Sequence, residues 1–268
     1  MTELKITTSK KEFIYQLPTT FDEMTREQFI LTAEQIIRAA AGIESDAYYI
    51  AITEIEKKLW KKLNFFQRYS IKRLFDFISV PTISKQLLPD IETGGQQFIG
   101  YQPGFSNTTW QEFIFADQYI MNGKYREAAA CLYRPQRPDY TGETDRRIPF
   151  TFYGTNSRMH YFNNLPEAEL FAFVLNYKAL RKRNLEEKYP FVFPNTNSQT
   201  QTNLDNNSQP NVIEGFTRNP NFSWLAIHRD LMGDHFYDET KFYELNLHVI
   251  LNRLNTVIKG SKKSHNSN

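Results

Sequence analysis

The sequence predicts a mainly α-helical protein: a multi-helix body with a short N-terminal strand or small β-hairpin, a flexible linker, and a small C-terminal helical pair. Three observations predict it. Apolar residues recur at helical spacing along most of the chain. Helix N-cap signals stand ahead of two of those runs. One polar, low-complexity stretch interrupts the pattern. The chain has 268 residues, 40% of them hydrophobic and 15% aromatic, enough to bury a real core.

Charge and cysteine content narrow the function classes. Lysine and arginine total 32 against 30 acidic residues, a net charge of +2, which announces neither a nucleic-acid partner nor an anionic membrane. Cys131 is the single cysteine, which excludes an internal disulfide and a cysteine zinc site and fits a reducing compartment. The start, "MTELKITTSKKEF", has no apolar signal core, and no apolar run approaches the roughly 18 residues of a membrane span. The expectation is a soluble protein of the cytoplasm with no membrane partner.

Phe13, Tyr15 and Leu17 alternate with the period of a strand, and Pro18 ends it. Thr25 and Gln28 in "TREQ" have capping-box spacing, and the helix they open runs to Gly42. A second helix is expected with Ile52, Ile55, Leu59 and Leu63 on one side and Lys57, Lys58, Lys61 and Lys62 on the other. From Lys57 to Arg73 there are seven basic residues and no acidic one, interleaved with Trp60, Phe65, Phe66 and Tyr69. Basic residues among rings are one signature of a phosphate-binding stripe. Amphipathic helices ordinarily show the same mixture, so the rings are expected in the core and the lysines in water. The prolines and glycines of residues 81–108 mark loops or a hairpin, with "QQFIGYQ" as its strand.

The segment "TWQEFIFADQYI", residues 109–120, is expected to be a helix buried on two sides. Thr109 and Glu112 repeat the capping-box spacing. At about 100° per residue Trp110, Phe113, Ile114, Ile120 and Met121 share one arc, and Asp117 falls inside it. Glu112 points away, so the two carboxylates do not form an acid/base pair. A buried carboxylate must be paired or well hydrogen-bonded. Arg126, Arg134 and Arg137 follow closely in "KYREAAACLYRPQRP", and Asp117 is expected as a structural buried carboxylate that fixes how its helix docks. An irregular connection comes next, then a helix near "TNSRMHYFNNL" and a longer one from Pro166, whose Lys178, Arg181, Lys182 and Arg183 are expected to face water.

The domains expected are a body over 1–194, a linker over 195–215, a helical unit over 216–260 and a disordered tail over 261–268. Thirteen of the sixteen residues 195–210 are Asn, Gln, Ser or Thr, which bury too little to offset their ordering entropy. Beyond them, "NFSWLAIHRDLMG" reads as one helix. Tyr243, Leu247, Ile250, Leu251, Leu254 and Ile258 form the stripe of a second. Two helices in about 45 residues need docking on the body, a homo-oligomer or a partner to be stable.

No catalytic constellation stands out. "HRDL" at His228–Leu231 matches part of the kinase catalytic loop, but no glycine-rich loop, Val-Ala-Ile-Lys or Asp-Phe-Gly accompanies it. His228, Asp230, Asp234, His235 and Asp238 have no metalloenzyme spacing. The expectation is a non-enzyme with no cofactor and no metal site.

The order of "QLPTTFDEMTREQF", a proline-and-glycine loop, "TWQEFIFADQYI", "AAACLYRP" and "RIPF" resembles the tail assembly chaperones of phages and prophages of Bacteroidetes bacteria. The resemblance spans roughly residues 10–194. It implies a non-enzymatic protein in the cytoplasm of the bacterial host that binds the tape-measure protein and helps tail tube protein assemble around it. Tape-measure proteins are long and helical, so the expected binding residues lie on the C-terminal stripe, Tyr243, Leu247, Ile250, Leu251, Leu254 and Ile258, together with Trp224, Ile227 and Leu231. Competing readings are a neck or connector adaptor of the particle and a nucleic-acid-binding helical module using Lys57–Arg73 and Lys178–Arg183.

Overall fold

The computed structural model describes residues 1–8, 11–43, 45–142, 145–193, 223–233 and 238–265. The expected linker over 195–215 lies outside the described residues, as do Asp234, His235 and residues 266–268.

Strands β1 (Thr2–Thr7) and β2 (Glu12–Leu17) form an antiparallel hairpin with Thr2 opposite Leu17. The first strand was not legible in the polar start of the sequence. Helix α1 (Arg26–Ala40) opens on a complete capping box between Thr25 and Gln28. The expected second helix is two: α2 (Asp46–Thr53) and α3 (Lys57–Trp60). Glu54 separates them with φ at 56°, a left-handed residue that a continuous helix does not admit. Helix α4 (Phe65–Arg73) starts on a second complete box, Asn64 with Gln67.

Strands β3 (Asp90–Thr93) and β4 (Gln96–Ile99) pair antiparallel. Their turn is Gly94-Gly95, with φ at 58° and 74°, as a two-residue hairpin requires. Helices α5 (Trp110–Met121), α6 (Tyr125–Leu132), α7 (Phe152–Phe162) and α8 (Glu167–Arg181) follow, and the last continues into one π-helical turn over Lys182–Glu186.

After the undescribed stretch come α9 (Trp224–Met232), α10 (Glu239–Glu244) and α11 (Leu247–His265). The expected second C-terminal helix is therefore broken, with Tyr243 on α10 and the rest of its stripe on α11. Asn246 causes the break by pairing as an extended residue with Thr109. Helix α11 also runs through 261–265, which the sequence assigned to a tail.

The chain divides into two compact units, one of residues 1–87 and 166–179, the other of 88–165 and 180–268. This division cuts through the expected 1–194 body. It puts the C-terminal helices in the same unit as residues 88–165. Composition marks where polar chain lies, whereas units are set by what covers each apolar face.

In the first unit the rings of Phe21 and Phe29 meet edge to face, as do those of Tyr48 and Phe75, and α2 packs on both α1 and β2. Asn176 of α8 is fully buried and satisfies two backbone groups, accepting from Leu87 N at 3.1 Å and donating to Lys85 O at 3.0 Å. In the second unit α5 is central, with α6, α9, α10 and α11 against it and α7 against α6. No helix among the described residues is long and apolar enough to cross a membrane.

Candidate functional site

The expected partner-binding stripe is covered by the chain's own second unit. Trp224, Leu247, Ile250, Leu251 and Leu254 are buried, and Ile227, Leu231, Tyr243 and Ile258 are half-buried. The cover is α5. Trp224 sits edge-on to Trp110 and Phe113, at ring separations of 5.6 and 5.2 Å. Two backbone hydrogen bonds close the contact, from Trp110 N to Leu245 O at 2.8 Å and from Leu247 N to Thr108 O at 3.0 Å. An α5 that is apolar on two sides needs two neighbours, and α6 supplies only one of them.

Asp117 is fully buried on α5. Its partner is none of the arginines expected from nearby sequence. Arg181, at the end of α8, donates from Nε to Oδ1 at 2.7 Å and from Nη2 to Oδ2 at 3.2 Å, and the Trp224 indole donates to Oδ2 at 2.7 Å. Arg181 is thus buried rather than solvated, because it answers a carboxylate far away in sequence. Lys178 is half-buried too, and burial pushes its ammonium below the usual lysine range.

Sequence reasoning missed a second buried network on the same helix. Thr109 caps α5 through Glu112 N at 3.2 Å, but the Glu112 carboxylate does not return to Thr109. It accepts from Arg134 Nη2 at 2.9 Å and from Arg147 Nη1 at 2.7 Å. Asp145 bonds both guanidiniums as well, and Arg147 also donates to the carbonyls of Leu132 and Asn107. Burial holds Arg134 below the usual arginine range, with Glu112 opposing it. Burial raises the Asp145 carboxyl, but its bonds to Arg147 outweigh that and leave it below the carboxylate range. Each carboxylate oxygen of Glu112 and Asp145 accepts from a guanidinium, so the arrangement locks the loop after α6.

His228 is similarly occupied. Trp110 donates its indole N–H to Nδ1 at 3.1 Å, so the imidazole proton sits on Nε2, which faces Glu239 at 3.3 Å. The ring stacks on Tyr243 at 4.1 Å. Burial holds the imidazole below its usual range, opposed by Glu239. Among the described residues no cluster of histidine, cysteine, aspartate and glutamate is arranged to hold a metal. Asp234 and His235 lie outside them.

A cluster of exposed rings lies in the first unit, where the structure reverses an expectation. Of the four rings between Lys57 and Arg73 only Trp60 is buried. Phe65 is 70% exposed, Phe66 76% and Tyr69 52%. Phe65 stacks on Tyr69 at 6.1 Å and meets Phe66 edge-on at 5.7 Å, so the three form one cluster. Periodicity misplaced them because α4 buries only Ile71, and its first turn stands clear of the core.

Asp46 ties α2 to α3 and α4, accepting from Trp60 Nε1 at 3.1 Å and pairing with Lys72 at 2.8 Å and Arg68 at 3.5 Å. The Lys72 bond draws its carboxyl below the usual range. Lys57, Lys58, Lys61 and Lys62 are exposed and make no ion pair among the described residues. Exposed contiguous rings beside unpaired cations mark a contact surface rather than a reaction centre. Compared with known proteins, the chain matches no family model, no curated protein and no solved structure.

Proposed function

We propose that the chain is a non-enzymatic assembly chaperone of phage tail morphogenesis that binds amphipathic helical segments of a tape-measure protein in the host cell, with tail tube protein as a second partner. Two lines support the reading: the resemblance of residues 10–194 to tail assembly chaperones, and a surface suited to helix recognition. The observation that carries it is the exposed cluster of Phe65, Phe66 and Tyr69 on α4. Aromatic side chains supply large contact area at small entropic cost, and desolvating such a cluster is what a helical ligand's apolar stripe does. The site moves from the C-terminal stripe to α4 because the stripe is already covered.

Affinity capture of the tagged full chain from phage-producing cells, with mass spectrometry of its companions, tests the proposal. Recovery of one very long helix-rich phage protein, with the chain scarce in purified virions, is the expected result. Abundance in virions together with portal or neck proteins supports the adaptor reading instead. The stacked rings among lysines also suit single-stranded nucleic acid. Nucleic acid recovered alone, with affinity falling steeply as salt rises, would replace the proposal with that reading.

A further inference from the structure

Helix α3 and the turn after it put four like charges on the surface with nothing to answer them. Leu59, Trp60 and Leu63 are buried, which holds the other side of this stretch, Lys57, Lys58, Lys61 and Lys62, in water. The acids just upstream, Glu54 and Glu56, are exposed as well and pair with none of the four among the described residues. The other three cations of the run are already paired: Asp46 holds Arg68 and Lys72, and Asp76 holds Arg73. The uncompensated charge therefore sits on α3 and its turn rather than on α4 itself.

Asn64 joins the charged turn to the exposed rings. Its capping box with Gln67 closes at 2.9 Å in both directions, which fixes Phe65 and Phe66 in the first turn of α4, directly after the lysines. The rings lean on one another. Phe65 and Tyr69 lie within 14° of parallel, and Phe66 meets Phe65 at 79°. They present one joint apolar surface rather than separate flat faces for successive bases, which favours a side-chain ligand over nucleic acid.

We infer that α3 and α4 form one docking face for an acidic amphipathic helix. Its apolar stripe covers Phe65, Phe66 and Tyr69, and its flanking Asp and Glu side chains meet Lys57, Lys58, Lys61 and Lys62. The inference rests on the proposed helix recognition by α4 and adds the charge of the ligand. Rim cations act chiefly on selection and encounter rate, so a basic helix with the same stripe is turned away.

The test is fluorescence anisotropy of three labelled helical peptides that share a leucine stripe and are flanked by Glu, Gln or Lys, each titrated with the full chain. The Glu peptide should bind saturably and at least tenfold more tightly than the Lys peptide. That preference should shrink between about 0.1 and 1 M salt, as the screening length falls from roughly 10 to 3 Å. The combined variant Lys57→Gln, Lys58→Gln, Lys61→Gln, Lys62→Gln, shown by thermal melting to fold, should lose the preference and still bind the Gln peptide. Equal binding of the three peptides, or a preference that survives in this variant, overturns the inference and leaves helix recognition by α4 standing. Unchanged binding of the Gln peptide by the Phe65→Ser, Phe66→Ser, Tyr69→Ser chain, or binding of no peptide at all, overturns both. Tighter binding of a single-stranded oligothymidylate than of the Glu peptide, lost with the same lysines, assigns the face to nucleic acid and overturns the inference too.

Discussion

Trp224 donates its indole N–H to Asp117 across 2.7 Å, tying the first C-terminal helix to the middle of α5. The same carboxylate holds Arg181 through two bonds. One buried acid therefore ties its own helix to two stretches of chain that lie 64 and 107 positions from it. Asp117→Asn removes the charge and should cost about 3 kcal/mol, the low end for a broken buried pair, because Glu186 still faces Arg181. Trp224→Phe keeps most of the volume and should cost about 1–3 kcal/mol for the lost bond. Urea midpoints at neutral pH check both, and equal stability of Asp117→Asn and wild type would contradict the assignment.

Deleting residues 211–268 should disrupt the second unit rather than trim an appendage. The deletion removes Trp224, Leu247, Ile250, Leu251 and Leu254 from the core and uncovers Trp110 and Phe113. At about 1.5–3 kcal/mol for each large apolar side chain, the loss approaches the whole stability of a domain. Strong binding of a hydrophobic dye and loss of near-ultraviolet dichroism are expected in the truncated chain. A native-like spectrum would show that the C-terminal helices are dispensable cover.

Glu112→Gln should destabilise more than any surface change on α5. The substitution leaves Arg134 and Arg147 buried with Asp145 as their only carboxylate among the described residues. A cost of about 3–5 kcal/mol follows from leaving buried charge uncompensated. Thermal melting of the variant checks it, and a change within about 0.5 kcal/mol, typical of surface sites, would contradict it.

These two carboxylates show what was legible in the sequence and what was not. That Asp117 is buried follows from one helix turn's worth of spacing. Its partner does not, because helical period says nothing about which distant arginine returns to the same place. Glu112 has the spacing of a capping box with Thr109, and that motif hides its burial. The capping box of Thr25 and Gln28 and the strand in "QQFIGYQ" were legible because each is decided by neighbours within a few residues. The break at Glu54, the bridge of Asn246 to Thr109 and the exposure of Phe65 and Phe66 depend on tertiary contacts, and periodicity carries no record of those.

Stability should fall as the solution is acidified from pH 7.5 to 5.5. Both His228 and His248 are held below the usual imidazole value by burial. His228 Nδ1 accepts from the donor-only indole of Trp110, so that ring takes a second proton only by losing the bond, and His248 lies between the Tyr189 hydroxyl at 2.7 Å and the Gly104 carbonyl at 2.6 Å. A depressed folded-state value means that the unfolded chain binds the proton first. The stabilisation is complete above about 6.5 and is lost as pH falls from there toward the folded-state value. His228→Gln should flatten part of that slope in urea titrations at the two pH values, and an unchanged slope would show that the ring titrates freely.

Replacing the rings of α4 should leave the fold alone. Phe65 and Phe66 are mostly in water, so Phe65→Ser with Phe66→Ser should shift stability by no more than about 0.5 kcal/mol per site. Thermal melting checks this. A large loss would mean that the cluster is structural and unavailable to a partner.

The most direct measurement is therefore capture of the tape-measure protein by the Phe65→Ser, Phe66→Ser, Tyr69→Ser chain beside the wild-type chain, both shown to melt alike. The account predicts strong capture by the wild-type chain and at least tenfold less by the variant. Equal capture by the two would contradict the assignment of the binding surface to α4.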